Sequence, residues 1–367
     1  MVKSPKKFLL LGLGGFIGSH LVGRLMTDPT LEVVGVDPCV TKIQHLLDRP
    51  NLKIHQRYLD DVLADGTLEA EIREADIVIN LAAICNPAEY NTRPLATIKS
   101  NLFDAIPVVD LCAKYNTWVI QFSTCEIYGR TLSSYIEGDN YSDPALYVQN
   151  EETTPLVMGP IANQRWSYAA SKTVLERYVY ALGDEMKMPY TVIRPYNFFG
   201  PKMDFIPGRD GDGVPRVLAC FMTALLDREP MKLVDGGNAF RTITSIHDAI
   251  DSMMLMFEKP EQAQFRIFNI GNKANELTVS ELAERMRVIY AEVSGDPTYR
   301  DHPIEAVTSG DFYGKGYEDC DRRVPDIGLA ETLLGWKPQH GIDGILRETI
   351  QYYYDAYSEK PRQLRAG

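Results

Sequence analysis

The sequence predicts an α/β protein: a doubly wound parallel sheet joined to a smaller α+β domain that completes a ligand site at the sheet's carboxyl edge. Three observations carry this. An apolar strand, Phe8-Leu-Leu-Leu11, breaks into Gly12-Leu-Gly-Gly-Phe-Ile-Gly18 and then into an amphipathic helical stretch, 19–26. A second strand pattern, Glu32-Val-Val-Gly-Val36, ends in Asp37. Further strand-like runs recur at Ile77-Val-Ile-Asn-Leu81 and Trp118-Val-Ile-Gln-Phe122 with helical stretches between them, the alternation a parallel sheet requires.

The glycine loop comes first in the chain. Gly12, Gly15 and Gly18 allow a tight turn, close approach of a pyrophosphate to backbone, and close packing of helix on strand. Phe16 and Ile17 lie inside the loop and belong to the same expected cofactor site. Asp37, about 20 residues beyond the loop, is placed to take both ribose hydroxyls of an adenosine. Its charge would repel a 2′-phosphate, so NAD is expected rather than NADP. Asp60 or Asp61 is read either as an acceptor for the adenine amino group or as part of a solvated acidic turn. Leu81, Ala82 and Ala83 offer small residues where backbone must lie close to the cofactor. Asn101, in a helical segment over 95–115, is expected on the cofactor side as a brace for the next strand.

The strand 118–122 delivers Ser123, Thr124, Cys125 and Glu126 to its carboxyl end, where open α/β sheets bind ligands. Residues 131–154 are turn-rich and acidic, without periodicity, and read as a loop or lid. A helix over 166–183 carries Tyr168 and Lys172, whose spacing of four puts phenol and ammonium on one face.

Composition bounds the partners. The 367 residues are 45% hydrophobic and 24% charged, ordinary globular values that suggest roughly two domains of about 150 residues. With 38 Lys+Arg against 50 Asp+Glu the net charge is -12, which argues against binding nucleic acid or an anionic membrane surface. Any anionic ligand must then be held by a local cluster of Arg and Lys. The amino terminus enters the first strand without an apolar leader, and no apolar run approaches the roughly 18 residues of a membrane span, so a cytoplasmic protein is expected. Six cysteines without a CxxC pair indicate neither a disulfide framework nor a metal site. Cys39, Cys112 and Cys220 are expected to be small core residues.

Together the glycine loop, Asp37, Ser123-Thr124 beside Glu126, Tyr168-xxx-Lys172 and Arg194-Pro-Tyr-Asn197 resemble the extended short-chain dehydrogenase/reductase family, which includes nucleotide-sugar epimerases, dehydratases and decarboxylases. The likeness spans nearly the whole chain and implies a Rossmann-type sheet. Longer blocks are similar to the branch of that family that decarboxylates UDP-glucuronate and makes UDP-apiose and UDP-xylose: 80–94, 122–129, 164–168, 203–208, 213–220, 232–237 and 313–323. Members that stop at UDP-4-keto-pentose share Glu126, Tyr168, Lys172 and Arg323, but their pattern has Ser where Cys125 stands.

The resemblance implies UDP-glucuronate as substrate, a tightly held NAD and a homodimer formed through the helices at 95–115 and 166–183. Tyr168 is then the base for the C4 hydroxyl, made more acidic by Lys172, with Thr124 positioning that hydroxyl. Arg323 orients the carboxylate or stabilises the enolate left by decarboxylation, and Glu126 relays protons. The other reading of Arg323 is a surface cation beside Arg322. Cys85 and Cys125, just past the ends of two strands, are expected to face one pocket and to serve ring contraction, since a thiol near pKa 8.5 transfers protons more readily than a serine hydroxyl. Arg165, Arg216, Lys232 and Arg241 match positions for the carboxylate and the UDP, and Asn197 a polar contact. Tyr90 and Tyr317 are pocket walls or core tyrosines, and Asp319 steadies Arg323. The expected domains are 1–197 plus 241–272 for NAD and 198–240 plus 273–355 for the nucleotide sugar, with 356–367 as a tail.

Overall fold

The computed structural model describes residues 4–136, 141–313 and 320–360. Seven strands form the central sheet: β1 (Lys7–Leu11), β2 (Glu32–Val36), β3 (Leu52–His55), β4 (Ile77–Asn80), β5 (Trp118–Phe122), β6 (Tyr190–Pro195) and β7 (Arg266–Ile270). They lie in the order β7-β6-β5-β4-β1-β2-β3 with every neighbouring pair parallel. The chain therefore winds outward from β1 in one direction and restarts at β4 in the other. That reversal opens a crevice outside the strand ends.

Strand residues are apolar on both faces because both faces are covered. Phe8, Leu10, Ile77, Ile79 and Ile120 point into one core with the helices Phe16–Leu25 and Ile246–Glu258. Leu9, Leu11, Val78, Val119 and Val192 point into the other, with the helices Ile106–Tyr115 and Ser167–Met186. The two-residue period of a strand makes this division.

The helical segment over 95–115 is broken into Pro94–Ile98, a π-helical turn Lys99–Phe103, and Ile106–Tyr115. Pro107 sits in the first turn of the last piece, where its missing N–H costs nothing. In the π turn, Asn101 Nδ2 donates to Thr97 O at 2.9 Å and to Ile84 O at 2.8 Å. It therefore braces the loop after β4, rather than the next strand.

A third core gathers Met203, Phe221, Met222, Leu225, Leu282, Met286, Ile350 and Tyr353 around the helices Val217–Asp227, Val279–Ser294 and Ile342–Tyr357. Residues 327–336, expected with this smaller unit, instead pack on the sheet. Ile327, Ala330, Leu334 and Trp336 are buried in the first core, and Trp336 Nε1 donates to Asp248 O at 2.9 Å. The turn-rich stretch 131–154 is tied down at one end, where Val148 and Gln149 pair in parallel with Val324 and Pro325. Among the described residues no helix is long and apolar enough to cross a membrane.

Candidate active site

The carboxyl ends of β1, β4, β5 and β6 and the third core together enclose a cavity of about 600 Å³. Its floor begins at the glycine loop. Gly12 has φ +87°, in the left-handed region that favours glycine. A Cβ on Gly14 would lie 1.7 Å from the Cys39 carbonyl oxygen, and one on Gly18 2.3 Å from Gly12 O. Gly14 is thus the tightest position of the loop, although the glycine spacing singles out Gly15. The loop opens the helix Phe16–Leu25, whose amino terminus at Gly15 has no side-chain cap. Asp37 accepts hydrogen bonds from Gly14 N (3.0 Å) and Cys39 N (2.8 Å). Burial raises its pKa, and those two N–H groups oppose the rise.

Phe16, Ile17, Leu81 and Ala83 line the cavity. Asp60 and Asp61 do not. Both are exposed in the first turn of the helix Leu59–Ala64, and Asp60 lies 3.5 Å from Lys99, so of the two readings the solvated acidic turn is the one seen here. Asn101 is likewise no wall residue, and Cys39 is exposed rather than core.

Tyr168 and Lys172 project from the helix Ser167–Met186 into the cavity and are both buried. Lys172 Nζ donates to Phe122 O at 3.0 Å. Burial brings its pKa down to about 8, against opposing pulls from Cys85 and Glu176. Burial pushes the Tyr168 phenol well above its ordinary value, Cys85 and Glu126 add to the rise, and a hydrogen bond with Thr124 opposes it. The expected acidification by Lys172 is therefore not what the protein alone produces, because desolvation of the phenolate outweighs it. Tyr90 stacks on Tyr168, with ring centroids 4.7 Å apart and planes within 9°. It is a buried pocket wall.

Glu126 lies between two arginines. Arg165 NH2 donates to Glu126 Oε1 at 2.9 Å while its NH1 bonds Oε2, and Arg323 NH1 donates to Oε1 at 3.1 Å. Both arginines are 2% exposed. Burial alone would raise the Glu126 pKa, but the Arg165 and Arg323 guanidiniums overcome it and hold the carboxyl well below the ordinary range. An ionised carboxylate bridging two guanidiniums accepts hydrogen bonds and releases no proton. The relay role expected of Glu126 is not available in this arrangement, and Arg323 is no surface cation.

Cys85 and Cys125 do line the same cavity, Cys85 exposed and Cys125 buried. Burial pushes the Cys125 thiol up to about 11, against the charge of Arg323 and a hydrogen bond from it. Cys125 therefore holds its proton more firmly than the unshifted thiol expected from the sequence. Thr124 caps the turn Cys125–Tyr128 by accepting from Glu126 N at 3.1 Å.

The far wall carries the remaining cations. Arg216, ahead of the helix Val217–Asp227, donates from Nε to Asp204 Oδ2 at 3.1 Å. Arg241 NH1 donates to Cys320 O at 3.0 Å, and Lys232 projects from the exposed side of the strand Met231–Val234. Asn197 has φ +39° and donates from Nδ2 to Thr242 O at 2.9 Å. All four line the cavity. Tyr317 and Asp319 lie outside the described residues. Tyr141 and Cys220 also face the cavity. Neither stood out in the sequence, since Tyr141 falls in the aperiodic stretch and Cys220 in an apolar helix.

The arrangement can hold a dinucleotide over the glycine loop, move a proton at Tyr168 and grip a carboxylate between two arginines. Residues 8–271 match the NAD dependent epimerase/dehydratase family. The chain is 47% identical over 362 residues to UDP-D-apiose/UDP-D-xylose synthase 1 of Arabidopsis thaliana, covering 97% of this chain and 93% of the relative. To UDP-D-apiose/UDP-D-xylose synthase of Oryza sativa it is 47% identical over 363 residues, covering 97% and 91%. Among solved structures, the PbgP3 protein of Burkholderia pseudomallei superposes with a TM-score of 0.82 at 28% identity over 98% of both chains. Matched by the family over more than half its length, and carrying that family's glycine loop and parallel sheet, this chain belongs to the NAD dependent epimerase/dehydratase family.

Proposed function

We propose that this protein decarboxylates UDP-glucuronate with NAD and converts the resulting UDP-4-keto-pentose into UDP-apiose and some UDP-xylose. The observation that carries the reading is the pair of buried guanidiniums, Arg165 and Arg323, converging on one carboxylate in the cavity of Tyr168 and Lys172. Such a pair suits a substrate with a carboxylate on its sugar. The names of the two plant relatives support the same products.

The residues fit the cofactor: Gly14 and Gly18 leave no room for a Cβ, and Asp37 stands at the end of β2. Gly12, Gly15, Phe16, Ile17 and the Leu81–Ala83 backbone would hold it, with Asp37 on the adenosine ribose. NAD, when bound, supplies a hydride acceptor for C4, a positively charged ring, and return of the hydride at the end of the cycle.

Tyr168 takes the C4 hydroxyl proton, and Thr124 orients that hydroxyl. With C4 a ketone, the C5 carboxylate is β to a carbonyl. The C–CO2 bond breaks with its electrons passing into the ketone as an enolate, and carbon dioxide leaves. Arg323 and Arg165 orient the carboxylate and stabilise the enolate. A proton taken up at C5 turns the enolate back into the C4 ketone, and reduction of that ketone, with Tyr168 returning its proton to the C4 oxygen, gives UDP-xylose. For UDP-apiose the 2-hydroxyl loses its proton and the C2–C3 bond breaks with its electrons moving toward the C4 carbonyl. Re-closure from C2 to C4 leaves C3 as an exocyclic aldehyde, which is reduced. Cys85 and Cys125 serve the proton transfers at C2 and C3, Cys125 as a thiol donor. Arg216, Lys232, Arg241 and Asn197 hold the UDP. Exposed Leu95, Phe103, Val174 and Tyr180, on segments packed against one another, support a homodimer.

The test is NMR of the product made from UDP-glucuronate and NAD. A branched furanose is expected, and its absence would make the protein a UDP-xylose or UDP-4-keto-pentose synthase. Cys125→Ser is expected to lower the apiose-to-xylose ratio by about tenfold, less than the roughly 10²- to 10⁴-fold of a positioned proton-transfer group because serine keeps a hydroxyl, and to slow carbon dioxide release much less. An unchanged ratio removes Cys125 from ring contraction.

A further inference from the structure

Arg322 and Arg323 are neighbours that serve opposite sides of one segment. Arg323 reaches Glu126 in the cavity. Arg322 turns away and makes a forked pair with Glu276, Nε to Oε1 and NH2 to Oε2, each 2.7 Å. Its guanidinium carbon lies 3.9 Å from the ring centroid of Tyr147, 5.1 Å from that of Tyr141 and 5.2 Å from that of Phe240. Its side chain is only 17% exposed.

The groups around Arg322 come from separate parts of the chain. Tyr141 and Tyr147 belong to the turn-rich stretch. Phe240 and Glu276 belong to two short strands, Phe240–Thr242 and Glu276–Thr278, paired antiparallel. Phe240 N also donates to Asp321 O at 2.7 Å, and Val324 pairs with Val148, the residue after Tyr147. Backbone contacts thus hold the segment on both sides of 322–323, and the Arg322 cage fixes which way residue 322 faces. Arg322 and Arg323 directly precede the strand residue Val324, and their guanidiniums leave the segment in different directions, to Glu276 and to Glu126. Holding Arg322 outward therefore holds Arg323 inward.

We propose that Arg322 is a positioning residue for Arg323: its cage of Tyr141, Tyr147, Phe240 and Glu276 aims the Arg323 guanidinium into the cavity. The proposal rests on the reading of that cavity as a site for UDP-glucuronate. Only an arginine fills the cage. The planar fork pairs with both Glu276 oxygens while its faces stack on rings, and lysine, a point charge, cannot do both.

The test uses full-length protein with NAD in a Tyr168→Phe background, which slows turnover enough for binding to be read first, and titrates UDP-glucuronate and UDP-xylose. These ligands share the nucleotide and differ in the carboxylate. Arg322→Lys, and separately Glu276→Gln, are each expected to weaken UDP-glucuronate binding about tenfold, as loss of a well-aimed charge-assisted contact does, and to leave UDP-xylose binding unchanged. A merely structural Arg322 would lower the melting temperature and leave the ratio of the two affinities as it was, and that result overturns the proposal. If the background without either substitution fails to prefer UDP-glucuronate, the carboxylate reading falls and takes this inference with it.

Discussion

Tyr168→Phe is expected to lower kcat for UDP-glucuronate by about 10²- to 10⁴-fold, the usual contribution of a positioned acid–base group. Binding of NAD and of UDP should be retained. The structure separates chemistry from packing at this position. The Tyr168 ring stacks on Tyr90 and lies among buried side chains, so phenylalanine keeps its contacts and only the hydroxyl is lost. Single-turnover formation of NADH and release of carbon dioxide read the step directly. A variant with more than about a tenth of wild-type kcat would remove Tyr168 from the base role. The pH profile adds a second check. Burial brings Lys172 to about 8, so its ammonium, the cation that favours phenolate, is lost as pH rises through that value. The wild-type rate should bend downward there.

What was legible in the sequence was local. An apolar strand, a glycine turn and a helix start dictate one another over some twenty residues, and Gly12, Gly18 and Asp37 stand where those patterns put them. The i, i+4 spacing likewise put Tyr168 and Lys172 into one cavity. What escaped depends on contacts distant in sequence or on solvent exclusion. Glu126 meets Arg165 39 residues on and Arg323 197 residues on, so no spacing reveals a shared carboxylate. A thiol's ordinary pKa says nothing about Cys125, whose proton is held by burial. The π turn at 99–103 presents Asn101 to the loop after β4, a tertiary contact that helical periodicity hides. Arg322 drew no role from the sequence because its partners arrive from 141–147, 240 and 276.

The same long-range cluster yields the largest expected change in stability. Glu126→Gln keeps the side chain's shape but removes the negative charge between two guanidiniums that are each 2% exposed. Breaking a buried ion pair from one side costs about 3–5 kcal/mol, and the amide oxygen that glutamine still offers puts this variant toward the lower end. Because the folded state holds the Glu126 carboxyl well below the ordinary range, its contribution is fully present above the ordinary glutamate pKa and is lost as pH falls below it. The melting-temperature gap between wild type and variant should therefore be wide near neutral pH and narrow in acid. A ligand that brings its own carboxylate can supply what the variant lacks. UDP-glucuronate should raise the variant's melting temperature more than it raises that of wild type, where it must compete with Glu126 for the same arginines, whereas UDP-xylose should raise both alike. Equal rescue by the two nucleotides would mean that Arg165 and Arg323 serve Glu126 alone and that the substrate carboxylate is held elsewhere.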